Sequence, residues 1–200
     1  STPAAIQPAA SPTVPTTPIP AYAQGLVIFA SDRGGNFDLY VMDMLTRGVS
    51  QLTDDTADDR WPSWSPDGSR IVFVSDRAGN DDLYVMDTTG ENVVQLTTDG
   101  AMDRYPAWAP DGSQIAFARE DVNGSSLLLL DAACIADPDT CEDSLTPVTV
   151  NRYDLHPAWA PDSRRIAFAA SDFPGLPWVV ALFEMDSSTY NPLPGTGSSD

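Results

Sequence analysis

One pattern recurs along the chain at nearly constant spacing, and it constrains the fold more than any other feature. An apolar run centred on a phenylalanine stands at Phe29, Phe73, Phe117 and Phe168, and these residues are 44, 44 and 51 positions apart. Repeats of this length are typical of solenoids and propellers, in which each unit buries its apolar surface against its neighbours. The chain is therefore predicted to fold as a row of similar small units.

Each repeat contains the signals of four short strands. The first strand carries a tryptophan and ends in a Pro-Asp turn, in which proline presets φ and aspartate bonds back to the turn backbone. The second and third strands are apolar on both faces, which is typical of strands that are covered on both sides. The recurring tryptophan, proline and aspartate residues are Trp64, Pro66, Asp67, Trp108, Pro110, Asp111, Trp159, Pro161 and Asp162.

The spacing also predicts where the units begin and end. Counting back 44 residues from Pro62 places a degenerate first copy of the tryptophan segment at residues 18–25, without the tryptophan and without the Pro-Asp turn. We predict an extended tail at residues 1–13, four units near residues 14–56, 57–100, 101–152 and 153–196, and a short tail at residues 197–200.

The motifs of these units resemble a known repeat. Trp-Ser-Pro-Asp-Gly at residues 64–68, Ser-Asp-Arg at 75–77, Leu-Tyr-Val-Met-Asp at 83–87 and Gln-Leu-Thr at 95–97 are similar to the TolB-type, WD-like propeller repeat. The resemblance implies an all-β, β-propeller fold, and its known members usually have six or more blades. The four units counted here predict four four-stranded antiparallel blades with an extended Pro/Thr-rich N-terminal segment. It implies little about function, because the repeat occurs in periplasmic scaffold proteins, in prolyl-oligopeptidase-like enzymes and in some lyases.

Composition narrows the classes of partner. The ten basic residues are all arginine and stand against 29 acidic residues, so the net charge is −19. Nucleic acids and anionic membrane surfaces are therefore disfavoured as partners, because both require a basic surface. No apolar run approaches the length of a membrane span, so membrane insertion is not expected. No signal peptide is evident, so any leader would already have been removed.

Residues 1–20 contain six prolines and no charged residue, a composition that favours an extended, polyproline-like segment. One interpretation is a disordered tether, whose Ser and Thr residues are possible acceptors of O-linked sugars. The other is an assembly segment that lies in a groove or along a sheet edge of another copy. The residues assigned to assembly are Pro3, Ile6, Pro8, Val14 and Pro18.

No catalytic constellation is evident in the sequence. A Gly-x-Ser-x-Gly turn is missing, and the single histidine, His156, occupies the position that Trp61 and Tyr105 hold in the sister repeats. His156 is therefore interpreted as a packing residue. One histidine and two cysteines do not make an ordinary zinc site. We predict that the chain is not an enzyme.

Cys134 and Cys141 bracket an insertion between the third and fourth strands of unit three. This placement favours a local disulfide and an oxidising, extracytoplasmic setting. Two unpaired thiols are the alternative.

Aspartates recur where the chain enters each innermost strand, a position near the channel mouth of a propeller. Oxygen ligands at this density predict a structural Ca²⁺ site, with solvated negative charge as the simpler explanation. The candidate ligands are Asp54, Asp55, Asp58, Asp59, Asp103 and Asp154.

The first functional hypothesis is a non-enzymatic, secreted or cell-surface propeller that serves as a structural or protein-binding module and self-assembles through its N-terminal segment. The alternatives are an accessory propeller domain related to peptidases or lyases, and a Ca²⁺-dependent glycan binder. The four units allow a closed four-blade ring, an eight-blade ring shared by two chains, or a head-to-tail filament.

Overall fold

The computed structural model describes residues 25–150, 152–173 and 176–193. These residues form short strands connected mostly by turns. The strands are β1 Leu26–Ser31, β2 Asp38–Asp43, β3 Val49–Gln51, β4 Asp59–Trp64, β5 Arg70–Ser75, β6 Asp82–Asp87, β7 Val94–Gln95, β8 Met102–Trp108, β9 Gln114–Asp121, β10 Gly124–Asp131, β11 Thr146–Pro147, β12 Tyr153–Trp159, β13 Arg165–Ser171, β14 Val179–Glu184 and β15 Thr189–Pro192.

The strands pair with their neighbours in sequence and form four successive antiparallel groups, one for each repeat. Sheet one is β1–β3, sheet two is β4–β7, sheet three is β8–β11 and sheet four is β12–β15. Sheets three and four are joined by one parallel pair, Ser125 with Tyr153. The innermost strand predicted before β1, at residues 18–25, lies almost entirely outside the described residues.

The sequence repeat is also a repeat of strand register. Phe29 pairs with Tyr40, Phe73 with Tyr84, and Phe117 with Leu128 in their respective sheets. The three buried apolar clusters of the described residues each lie between consecutive sheets. This face-to-face stacking of small sheets confirms the predicted all-β, propeller-type fold.

The Pro-Asp turns form as the sequence predicts. A carboxylate oxygen of Asp67 accepts hydrogen bonds from the Ser65 hydroxyl at 2.6 Å and from the Ser69 amide at 3.0 Å. Gly68 follows with φ of 71°, a left-handed conformation that glycine adopts without strain. In unit four, Ser163 takes this position with φ of 56°.

The insertion in unit three lies between β10 and β11 and contains three short 3₁₀ helices, Ala132–Ala136, Pro138–Thr140 and Glu142–Ser144. Cys134 and Cys141 form the predicted disulfide within it. Both cysteines are buried in the apolar cluster between sheets two and three. None of the helices in the described part of the chain is both long and apolar enough to span a membrane.

Candidate functional site on the innermost strands

The threonine that ends each Gln-Leu-Thr motif joins consecutive sheets. The hydroxyl oxygens of Thr53 and Thr97 accept hydrogen bonds from the amides of Leu39 and Leu83, both at 2.9 Å. Thr149 accepts one from Leu127 in the same way. Each threonine also bonds to the aspartate at the start of the next innermost strand, and these aspartates are Asp59, Asp103 and Asp154.

These three aspartates are fully buried, and an arginine faces each of them. Arg77 lies 3.0 Å from both carboxylate oxygens of Asp59. Arg119 bonds both oxygens of Asp103 at 2.8 Å. The third pair, Arg152 and Asp154, is looser, with 3.3 Å between Nε and Oδ2. Each carboxylate that the sequence assigns to the channel mouth is thus held by a guanidinium group.

The arginines come from three different places in the repeat, which is why sequence reasoning missed them. Arg77 stands in the turn after β5, Arg119 lies within β9, and Arg152 directly precedes β12. A comparison of the repeats places these three arginines at three different register positions. The signal available in the sequence was weaker, an arginine within a few residues of the central phenylalanine or of the buried aspartate.

The other predicted calcium ligands are distributed around these pairs. Asp55 bonds Arg77 at 2.8 Å. Asp58 pairs with Arg60 and accepts a hydrogen bond from the amide of Phe37. Asp54 is exposed. No group of three or more acidic, histidine or cysteine side chains among the described residues is arranged to hold a metal ion. Structural calcium stays a prediction.

A row of aromatic side chains crosses the innermost strands at matching β-bulges. The ring of Tyr105 lies 4.6 Å from that of Trp61 and 3.9 Å from that of His156. The pairing register shifts at all three positions, and their φ values are 48°, 56° and 55° for Trp61, Tyr105 and His156. A bulge re-aims a side chain, and positive φ is unfavourable for a bulky residue. His156 therefore shares the backbone position of Trp61 and Tyr105, and its ring contacts Tyr105 although the residue is exposed.

The recurring tryptophans and prolines meet in one groove. Trp64, Trp108 and Trp159, together with Pro66, Pro110 and Pro161, line a cavity of about 420 Å³ that we call the Trp–Pro groove. The indole of Trp159 donates to the carbonyl of Ala107 at 3.0 Å, and the indole of Trp108 donates to that of Gly112 at 3.3 Å. The buried indole nitrogen of Trp64 has no partner among the described residues. The groove contains no charged residue, although the chain carries a net charge of −19.

Burial also raises the pKa of Asp82, a carboxyl at the start of β6. Asp82 is buried and accepts hydrogen bonds from Asn80 and Gln95, each at 3.0 Å. Burial, with repulsion from Asp103, raises the pKa of Asp82 from 3.8 to about 6. In the folded chain this carboxyl therefore binds a proton at a pH where the unfolded chain has lost it.

This shift predicts that acid stabilises the fold. Between pH 3.8 and about 6 the folded state binds more protons at Asp82, so the free energy of unfolding falls as pH rises through this window. We expect urea unfolding to give about 1–2 kcal/mol more stability at pH 5 than at pH 7. Asp82→Asn is expected to reduce that difference. Asp87→Asn is the control, because hydrogen bonds lower the pKa of Asp87 to about 2, outside the window. Equal pH dependence of the wild type and Asp82→Asn would contradict the assignment.

Comparison with known proteins places this architecture in a family. A family model described as a TolB beta propeller domain matches residues 17–198. No curated protein matches the chain significantly. Among solved structures, the putative TolB from Agrobacterium tumefaciens superposes with a TM-score of 0.72 at 21% identity, over 84% of this chain and 60% of that chain.

Two further structures show the same likeness of fold. TolB from Acinetobacter baumannii matches with a TM-score of 0.65 and 21% identity, over 86% of this chain and 42% of that chain. Oligogalacturonate lyase from Vibrio parahaemolyticus matches with a TM-score of 0.61 and 16% identity, over 84% of this chain and 48% of that chain. The chain thus spans less than two thirds of the length of these proteins.

Proposed function

This chain belongs to the TolB beta-propeller family, and from that premise we propose that it is a non-enzymatic, extracytoplasmic protein-binding module that takes extended, proline-rich segments in its Trp–Pro groove. The observation that carries the proposal is the groove itself, formed by three tryptophans and three prolines from three consecutive repeats. The finer architecture that we propose is a propeller of four blades, one for each repeat.

The chemistry of the groove suits a polyproline ligand. Grooves lined by aromatic rings recognise proline-rich peptides, whose extended helix is preformed and loses little entropy on binding. The innermost strands hold the tryptophans in place, and two of the three indole nitrogens are already bonded to backbone carbonyls. The uncharged, apolar lining of the groove itself favours an uncharged ligand, because burying a charge there would leave that charge unpaired.

The chain carries such a segment. Residues 1–20 contain six prolines and no charge. This segment leads to Gly25, which directly precedes β1 and aligns in the repeat with Ser69, at the end of the turn that contains Pro66. At Gly25 the chain therefore enters sheet one at the end of the sheets where the groove lies. Twenty residues of polyproline helix span roughly 60 Å, which is long enough to reach the groove of the same copy or of the next one.

Assembly through this segment is the finer part of the proposal. The residues assigned to it, Pro3, Ile6, Pro8, Val14 and Pro18, lie outside the described residues. The disulfide between Cys134 and Cys141 supports the extracytoplasmic setting, because such bonds persist in oxidising compartments. The pairing of the buried aspartates with arginines supports a non-enzymatic role, because a paired and buried carboxylate is a poor acid or base catalyst.

A peptide with the sequence of residues 1–20 tests the groove. The receptor is the full chain with its six tail prolines replaced by alanine, so that its own tail leaves the groove open. We expect saturable binding, followed by tryptophan fluorescence, and no binding of a peptide whose prolines are alanine. Pro110→Glu in the receptor places a charge in the groove and is expected to weaken binding at least tenfold.

Pro147→Glu is the matched control, because Pro147 is also exposed but lies on β11, outside the groove. It is expected to leave the affinity unchanged. Equal binding of the proline and alanine peptides, or equal loss in both receptor variants, would refute the proposed site.

A further inference from the structure

Sheet one has a face that no other sheet of the described residues covers, although Arg33 lies over the rings of Phe29 and Tyr40. Val27 of β1 occupies the position that Ile71 holds in β5, and 41% of its surface is exposed, against 0% for Ile71. Phe29 and Met42 are half-buried on the same face, whereas their counterparts Phe73 and Met86 are buried. In sheet two this face is covered by sheet one. We call it the leading face.

Sheet four has the opposite face uncovered. Val180 of β14 occupies the position of Leu83 and Leu127, and it is 41% exposed where both leucines are 0% exposed. Leu193, whose amide bonds Val180, is 38% exposed, while its counterpart Leu96 is 1% exposed. In sheets two and three this face is covered by the next sheet. We call it the trailing face.

The two uncovered faces are complementary because each carries apolar residues at the register positions that meet where consecutive sheets pack within the chain. At the first internal joint, the leading face of sheet two, with Phe73 and Met86, shares one apolar cluster with Leu39 from the trailing face of sheet one. The exposed leading face offers Phe29 and Met42 in the same register. The exposed trailing face offers Val180 at the position of Leu39.

An unpaired cation marks the leading face as an incomplete joint. The guanidinium of Arg33 lies 4.5 Å from the ring centre of Tyr40 and has no carboxylate partner among the described residues. Its counterpart Arg77 lies over Tyr84 in the same way, but it also bonds Asp59 of its own sheet and Asp55 of the segment that follows sheet one. At the internal joint the preceding unit thus supplies a carboxylate that Arg33 lacks.

We infer that the leading face of one copy of this chain docks on the trailing face of a second copy. The occupant is a second copy because its trailing face repeats the apolar pattern that already covers this surface within the chain. Two copies that exchange both faces form a closed pair with two joints, and open exchange forms a head-to-tail row. These faces are separate from the Trp–Pro groove, so this inference goes beyond the proposed function.

The light-scattering mass of the full chain over a concentration series tests the inference. The wild type is expected to show masses that are multiples of 21.4 kDa and to dissociate on dilution. Val27→Asp and Val180→Asp each place a charge on one face and are each expected to weaken association on the order of 100-fold. Val122→Asp is the control, because Val122 is fully exposed between β9 and β10. Circular dichroism checks that every variant is folded.

Mixing the two face variants gives the sharpest result. Val27→Asp retains only a trailing face and Val180→Asp only a leading face, so each alone is expected to associate only with the weakened affinity, whereas an equimolar mixture is expected to form a dimer with one intact joint at the wild-type affinity. Association of one variant by itself as strong as that of the mixture would overturn the pairing of unlike faces.

The remaining outcomes separate this inference from the groove. In the chain whose tail prolines are alanine, the groove contact is lost, whereas the association and its sensitivity to Val180→Asp are expected to remain. A wild-type chain that stays monomeric at every concentration overturns the inference and leaves these faces to another protein or to further repeats.

Discussion

Replacing Asp103 with alanine is expected to lower the free energy of unfolding by about 3 kcal/mol. Asp103 is fully buried at the start of β8, where Arg119 bonds both of its oxygens at 2.8 Å. Removing the carboxylate leaves the Arg119 guanidinium largely buried, with only the more exposed partners Asp99 and Glu142. It also removes the acceptor of Thr97, which ties sheet two to sheet three. Urea unfolding followed by circular dichroism measures the loss.

A double replacement separates the contribution of the ion pair to stability from the cost of leaving one buried charge unpaired. Asp103→Leu with Arg119→Met exchanges both ions for apolar side chains of similar size, and such exchanges are often neutral or stabilising. The double variant is therefore expected to unfold within about 1 kcal/mol of the wild type, and the single Arg119→Met variant well below it, because that change leaves Asp103 buried and unpaired. A double variant as unstable as Asp103→Ala would show that the ion pair itself holds the strand in place.

The repeat made much of this fold predictable. Phenylalanines at fixed spacing predict that the sheets share the same strand-pairing register, because each phenylalanine marks the same point in the second strand of its repeat. The Pro-Asp-Gly turn and the Cys134–Cys141 disulfide follow from local chemistry, and both form as predicted. The position of Asp103 at the entry to an innermost strand is also correct. These features depend on neighbouring residues or on the repeat itself, which is why the sequence contains them.

The ion pairs at the buried aspartates of the innermost strands were not predictable in the same way. Arg77 and Arg119 bond equivalent aspartates from different register positions, so aligning the repeats does not bring the two arginines together. The positive φ of Tyr105 has no sequence signal, because the residue before a proline is usually extended. The predicted calcium site took account of the carboxylates alone. The structure places an arginine beside Asp59, Asp103 and Asp154, and structural calcium stays a prediction.

The sequence of one repeat likewise does not show whether a face of its sheet is covered, because the neighbouring sheet provides the cover. This difference between equivalent positions predicts the second large effect on stability. Phe73→Ala is expected to lower the free energy of unfolding by about 3–5 kcal/mol, because the ring is fully buried between sheets one and two. Phe29→Ala is the matched control, since Phe29 has the same register and the same stacking on a tyrosine but lies on the uncovered leading face. We expect it to cost about 1–2 kcal/mol at low concentration. Equal losses would mean that something already covers Phe29 within the monomer.

The cost of Phe29→Ala should also depend on concentration. If a second copy covers the leading face, the ring of Phe29 becomes buried on association, as Phe73 is buried within the chain, and its removal then weakens the joint as well as the sheet. Thermal unfolding at rising protein concentration measures this directly. The melting temperature of the wild type is expected to rise with concentration, that of Phe29→Ala to rise less, and the deficit of Phe73→Ala to stay nearly constant. A constant deficit for Phe29→Ala would show that the leading face has no partner in a second copy.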